Sequence, residues 1–161
     1  MKVIGNVLAF GDDLNTDVIY PGRYLPLVDR AEQSKHVMEG FGEDWPERVR
    51  RYAVIAAGWN LGCGSSREQA ATALIGAGVK LVIARSFSRL FLRNCINNGL
   101  PIIESEELAS MLRTDDQITA DLTAGQAEVC GRTVRFEPLP EHLVAIVQAG
   151  GLLAQLRAAR S

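Results

Sequence analysis

The sequence predicts an α/β fold built on a mixed sheet, and three observations carry that prediction. Apolar runs at 53–58, 79–84 and 100–103 alternate with helical patterns at 67–75 and 87–97. Such strand–helix–strand–helix–strand spacing implies right-handed crossovers and parallel pairing. Beyond residue 113 the alternation stops, and three short strands joined by Gly125 and Gly131 read as a β-meander. With 47% hydrophobic and 22% charged residues in a length of 161, the chain can bury one ordinary core and is taken as one domain, residues 1–161.

Taken in order, residues 2–10 read as a first strand with a bulge or bend at Gly5. Gly11 to Asp17 is a polar turn. Its aspartates lack the EF-hand spacing and terminal glutamate, so a turn is preferred to a calcium site. Residues 18–27 are irregular, pinned by Pro21 and Pro26, and apolar for a loop. A weak helical pattern covers 29–39 and contains His36, read as a surface residue. Residues 43–51 form a short helix or loop, and 53–58 is a buried strand. The helix at 67–75 stops at Gly76-Ala77-Gly78. After the strand at 79–84, Ser86 offers an N-cap for the helix at 87–97, which Gly99 ends. Residues 105–113 form an amphipathic helix with acids in its first turn, where the helix dipole favours them. Strands at 118–122, 127–130 and 133–136 follow, then a C-terminal helix broken at Gly150-Gly151.

Charge and cysteine usage narrow the function classes. A formal net charge of -2 argues against a nucleic-acid partner held by phosphate neutralisation. No apolar run nears the roughly 20 residues of a membrane span, and the N-terminus does not look like a signal peptide, so no membrane is expected and the location is expected to be cytoplasmic. Cys63, Cys95 and Cys130 lie far apart with no CxxC pair, a poor frame for disulfides, a metal or an iron–sulfur cluster. No metal ligands are therefore assigned to this chain. Cys95 reads as packed in its helix, and Cys63 as a small buried residue in a glycine turn.

That turn, Asn60-Leu61-Gly62-Cys63-Gly64-Ser65-Ser66-Arg67-Glu68-Gln69, joins a buried strand to a helix and holds the densest chemistry in the chain. Ser65 and Glu68 have the spacing of a capping box, which is purely structural. The same residues can also hold an anion, because a helix N-terminus offers free N–H groups and the positive end of a dipole. The two roles can coexist. Gly62 and Gly64 favour the second, since they let a backbone approach a ligand closely. Arg67 could hold a carboxylate bidentately, and dipole and cation together would favour an ionised serine. His36 and His142 stand in no triad context, and the turn matches neither a Walker loop nor a G-x-G-x-x-G. The residues alone define an acid-substrate site that is incomplete.

The motif Gly62-Cys63-Gly64-Ser65-Ser66-Arg67-Glu68, with Ala84-Arg85-Ser86-Phe87-Ser88-Arg89, Arg93 to Pro101 and Asn15-Thr16-Asp17-Val18-Ile19-Tyr20-Pro21-Gly22, closely resembles the aconitase-family swivel domain, over nearly the whole chain and in the right order. The resemblance implies a swivelling β/β/α three-layer fold with a mixed sheet. It implies a heteromeric hydro-lyase whose separate large subunit carries a [4Fe-4S] cluster, with no cofactor on this chain. The small-molecule hydroxy-dicarboxylate substrate would lie at the interface. By the same resemblance Ser65 is the base, Arg67 the substrate-carboxylate clamp, Ser66 a supporting contact and Asp17 an active-site residue. The implied reaction converts 2-isopropylmalate to 3-isopropylmalate through isopropylmaleate, in leucine biosynthesis.

Two departures stand out. The family usually has histidine where this chain has Gln69, which motivates a non-catalytic carboxylate-binding module as a second reading. The family's specificity segment is here Tyr24-Leu25-Pro26-Leu27. It lacks an arginine that would pair an extra carboxylate, and an unpaired buried carboxylate is costly, which argues against homoaconitase. Pro26 and Leu27 suit an alkyl pocket, which leaves dimethylmalate and citramalate open as alternatives.

Overall fold

The computed structural model describes all residues, 1–161. A seven-stranded sheet organises the chain: β1 (Lys2–Ala9), β2 (Val54–Ala57), β3 (Leu81–Ala84), β4 (Ile102–Glu104), β5 (Gln117–Asp121), β6 (Gln126–Val129) and β7 (Arg132–Arg135), in the order β4-β3-β2-β1-β5-β6-β7. β1 to β4 pair in parallel, which the spacing of the apolar runs predicts for β2 to β4. β5 to β7 form the antiparallel meander, which joins the sheet by pairing β5 against β1. The sheet is therefore mixed.

Its helices are α1 (Thr16–Ile19), α2 (Arg30–Ser34), α3 (Trp45–Val49), α4 (Glu68–Gly76), α5 (Arg89–Asn97), α6 (Glu106–Met111), α7 (Glu141–Gln148) and α8 (Leu152–Ala159). None is long and apolar enough to cross a membrane, and α7 and α8 are bent by 89° at Gly150-Gly151.

Alternation along β2 and β3 makes the layers. Ile55, Ala57, Val82 and Ala84 face one core with Ala70, Ala73 and Leu74 of α4 and Phe91 and Cys95 of α5. Val54, Ala56, Leu81 and Ile83 face a second core with Ile118, Ala127, Val129 and Val134 of the meander and Leu108 of α6. Strands buried on both faces explain the continuous apolar runs. The sheet curls so that its antiparallel end, together with α6, covers one face of its parallel end, while α4 and α5 cover the other face, which is the β/β/α layering. Each fully buried Leu or Ile contributes about 1.5–3 kcal/mol to holding these layers together.

Three local expectations are corrected. Gly5 forms no bulge: the ladder from Lys2↔Asp121 to Asn6↔Gln117 is continuous. A Cβ at Gly5 would stand 2.5 Å from the Cβ of Ala53, so the glycine admits a close neighbour. Ser86 does not cap α5. The helix starts at Arg89, Ser88 is the N-cap, and the Ser86 hydroxyl accepts instead from the backbone N–H of Asn60 at 2.7 Å. Ser65 does not cap α4 either. Arg67 occupies the N-cap position with no side-chain cap, leaving Ser65 and Ser66 ahead of the helix.

Candidate active site at the ends of the parallel strands

Loops leaving the C-terminal ends of β1, β2 and β3 meet at one edge of the sheet, where ligands bind in open α/β folds. The Gly11–Asn15 turn and the Asn60–Arg67 turn are joined by bridges at Asn15↔Cys63 and Leu61↔Phe87. Asp12 Oδ1 accepts from the N–H of Trp59 at 2.8 Å, and Asp13 Oδ1 accepts from Asn60 Nδ2 at 3.1 Å. The aspartates thus tie loops together, as the turn reading expects. No group of three or more His, Cys, Asp or Glu side chains is placed to hold a metal ion.

The Asn60–Gln69 turn keeps its shape because glycine permits it. Gly62 and Gly64 have φ of 83° and 92°. This left-handed region is costly for a residue with a Cβ. A Cβ on Gly62 would overlap the Phe91 ring, and one on Gly64 would stand 2.5 Å from Asn15 Oδ1. The turn is then pulled onto α1. The Thr16 hydroxyl donates to the carbonyl of Ser65 at 2.6 Å, and the Thr16 N–H to that of Cys63 at 2.9 Å. Thr16 is 1% exposed and one of few buried polar side chains. These bonds explain why Ser65 cannot wind into the first turn of α4.

A cavity of about 180 Å³ opens beside the turn, lined by Ser65, Ser66, Arg67, Thr16, Ser88 and Arg89 among others. Ser65 and Ser66 are exposed, and neither hydroxyl has a protein partner. Arg67 is largely buried. Its Nη2 lies 2.9 Å from Asp17 Oδ1, and its Nη1 donates to the carbonyl of Tyr20 at 2.8 Å. Asp17 and Tyr20 come from α1 and its end, so the segment that brings Thr16 to the turn also fixes the guanidinium. Cys63 lines the cavity half-buried, more open than the small buried residue expected, while Cys95 is fully buried, which pushes its thiol well above its ordinary value.

The segment Tyr24–Leu27 lies beside this cavity without lining it. The Tyr24 ring stacks on His36 at 3.6 Å, and its hydroxyl donates to Glu39 Oε1 at 2.6 Å. Burial pushes the Glu39 carboxyl up, but hydrogen bonds from Tyr24, His36 and Arg23 outweigh it and hold the carboxyl below the usual carboxylate range. His36, expected as a plain surface residue, is half-buried in this cluster. Leu25 and Pro26 are exposed. Leu27 lines a second cavity of about 290 Å³ with Gln33, Glu68, Gln69 and Thr72. Gln33 Nε2 donates to the Leu27 carbonyl at 2.9 Å, and Thr72 of α4 donates to Gln33 Oε1 at 2.5 Å. A buried pair therefore ties the segment to the helix that follows the turn.

Ser65, Ser66, Arg67 and Asp17 are thus brought together. Tyr24 to Leu27 stand one cavity away, and Gln69 faces that second cavity. Thr16 and Arg89 line the same cavity as Ser65, which was unforeseen. Both belong to motifs prominent in the sequence, but only the fold shows that they meet the turn. If Thr16 holds Ser65 in place, Thr16→Val, which keeps the shape and removes the hydroxyl, lowers kcat about tenfold with KM little changed, and costs about 1 kcal/mol of stability. Steady-state kinetics and thermal melting measure the two effects.

A mixed β/β/α domain with this turn at its strand ends matches the profile of the aconitase C-terminal domain over residues 19–107. The 3-isopropylmalate dehydratase small subunit of Helicobacter hepaticus is 42% identical over 155 residues, spanning 95% of this chain and 94% of that one. The 3-isopropylmalate dehydratase small subunit 1 of Methanopyrus kandleri is 43% identical over 155 residues, 95% of this chain and 91% of its own length. The isopropylmalate/citramalate isomerase small subunit of Methanocaldococcus jannaschii is 40% identical over 95% of this chain and 92% of that one. A crystal structure of 3-isopropylmalate dehydratase from Methanocaldococcus jannaschii superposes with a TM-score of 0.87 at 40% identity, covering 99% of this chain and 96% of that one. The chain belongs to the 3-isopropylmalate dehydratase small-subunit family, within the aconitase C-terminal-domain class.

Proposed function

We propose that this chain is the proton-transferring half of a two-chain hydro-lyase that interconverts 2-isopropylmalate and 3-isopropylmalate through isopropylmaleate, a step of leucine biosynthesis. One observation carries the proposal. A serine with an unpartnered hydroxyl, Ser65, shares a cavity with an arginine whose orientation is fixed by Asp17. The chain offers no ligand set for an iron–sulfur cluster. Its part is to bind and orient substrate and to move a proton, and the cluster belongs with the large subunit.

Ser65 is the base. Its Oγ takes the proton from the carbon next to a substrate carboxylate during dehydration and returns one during rehydration. The cost of forming a serine alkoxide falls because the uncapped N-terminus of α4 and the Arg67 guanidinium both favour negative charge there. Arg67 holds a substrate carboxylate, Asp17 orients Arg67, and Ser66 adds a hydroxyl donor. If so, Arg67→Lys lowers kcat/KM about 10- to 100-fold, because an ammonium cannot hold Asp17, the Tyr20 carbonyl and a carboxylate in one plane.

Of Tyr24 to Leu27, Leu27 is the residue that meets the substrate's alkyl group, which extends from the Ser65 cavity toward the neighbouring cavity that Leu27 lines. The polar rim of the Leu27 cavity also keeps a smaller alkyl-malate, citramalate or dimethylmalate, as the second reading. The relative from Methanocaldococcus jannaschii, whose printed name includes citramalate, supports it. Gln69 motivated a non-catalytic module, but its place on the second cavity removes it from the lining around Ser65 and supports the enzyme reading. The test is a substrate panel on the complex with a cluster-loaded large subunit, following alkene absorbance. The expected order is 2-isopropylmalate first. Faster turnover of citramalate would move the assignment to the second reading.

A further inference from the structure

We propose that Arg89 is a second substrate-binding cation, meeting a carboxylate beside Ser65. This rests on the function proposed above and adds to it a residue placed by the fold alone. The dicarboxylate brings two negative charges to this cavity, and Arg67 meets them already partly committed: one terminal nitrogen faces Asp17 and the other a carbonyl. An arginine already paired with an aspartate can serve one carboxylate with its remaining N–H groups but leaves the charge of a second carboxylate unmatched.

Arg89 is the other cation of the cavity, and it has no partner. It lines the same space as Ser65, Ser66 and Arg67, is exposed, and forms no ion pair and no side-chain hydrogen bond. No acidic residue lies in the first turn of α5 to neutralise it.

Its backbone is nonetheless fixed against the turn. The Ser88 hydroxyl donates to the Gly62 carbonyl at 2.8 Å, the Ser88 N–H donates to Leu61 at 2.9 Å, and Leu61 donates back to Ser86 at 3.0 Å. So the residue before Arg89 is stitched to the loop that carries Ser65, while the guanidinium remains free to reach a ligand. An unpaired guanidinium on a backbone anchored beside the base suits a planar carboxylate, which it can hold with two parallel bonds.

The test measures equilibrium binding of 2-isopropylmalate to the complex with the large subunit, together with kcat and KM, for the unaltered chain, Arg89→Ala, Arg89→Lys and Arg89→Glu. The expected result is a rise of at least tenfold in Kd and KM for Arg89→Ala with kcat within threefold, partial recovery in Arg89→Lys, and a larger loss in Arg89→Glu. Thermal melting should not change. Kd and KM within twofold of the unaltered complex in Arg89→Ala would overturn the proposal, as would a loss of melting temperature and kcat together, which marks a structural role. If the unaltered complex neither binds nor turns over 2-isopropylmalate, the functional assignment itself fails, and Arg89 loses its ligand with it.

Discussion

Replacing Ser65 by alanine lowers kcat of the two-chain enzyme by about 10²- to 10⁴-fold, the range a positioned general base contributes. Assembly and melting temperature should stay as they are, because the Ser65 hydroxyl holds nothing in the protein. What the fold uses is the Ser65 carbonyl, which accepts from Thr16 and is retained in the variant. The combination separates chemistry from structure. A kcat within threefold of the unaltered enzyme would remove Ser65 from the mechanism. A lost complex would show instead that the hydroxyl serves the interface.

The second large effect is expected at Gly62. Gly62→Ala places a methyl group into the Phe91 ring at a φ of 83°. Left-handed strain costs roughly 1–2 kcal/mol and overpacking about 1–3 kcal/mol more. On the order of 3 kcal/mol corresponds to a melting point lower by about 10 °C in a domain of this size. Turnover should fall as well, since Phe91 belongs to the helix that carries Arg89 and the glycine to the turn that carries Ser65. Gly131→Ala, also at positive φ but with open space around its Cβ, is the control. It should show the strain without the loss of activity. Equal effects at both glycines would mean that the Gly62–Phe91 contact does not shape the site.

Much of this was legible in the sequence because it is local. Runs such as Val54 to Ala57 and Leu81 to Ala84 are buried on both faces, and the change to a meander after residue 113 follows from strand length and turn glycines. The tight Gly62–Arg67 turn follows from its glycines, Gly62 and Gly64, which the structure holds at positive φ. The roles of hydroxyls were less legible. Ser65 has the spacing of a cap and Ser86 the position of one, yet neither caps. Thr16, 49 residues before Ser65, holds the Ser65 carbonyl, and the Asn60 N–H claims Ser86. Local spacing cannot register a partner so distant in the chain.

Arg67 and Asp17 were each assigned to the site, but their mutual ion pair depends on α1 packing beside α4. The Tyr24–Leu27 segment is displaced from Ser65 for a similar reason. Its anchors, Glu39, Gln33 and Thr72, lie 6 to 48 residues from its own positions and offer no motif. Long-range hydrogen bonds between ordinary polar residues decide which of two neighbouring cavities a segment lines, and they leave no periodicity to read.

The most direct measurement is alkene absorbance on adding 2-isopropylmalate to this chain, to the cluster-loaded large subunit, and to the two together. Turnover by the mixture and by neither chain alone is the result expected if this chain supplies the proton-transferring half of the site. Absence of turnover in the mixture with 2-isopropylmalate, citramalate and dimethylmalate alike, or full turnover by the large subunit alone, would contradict it.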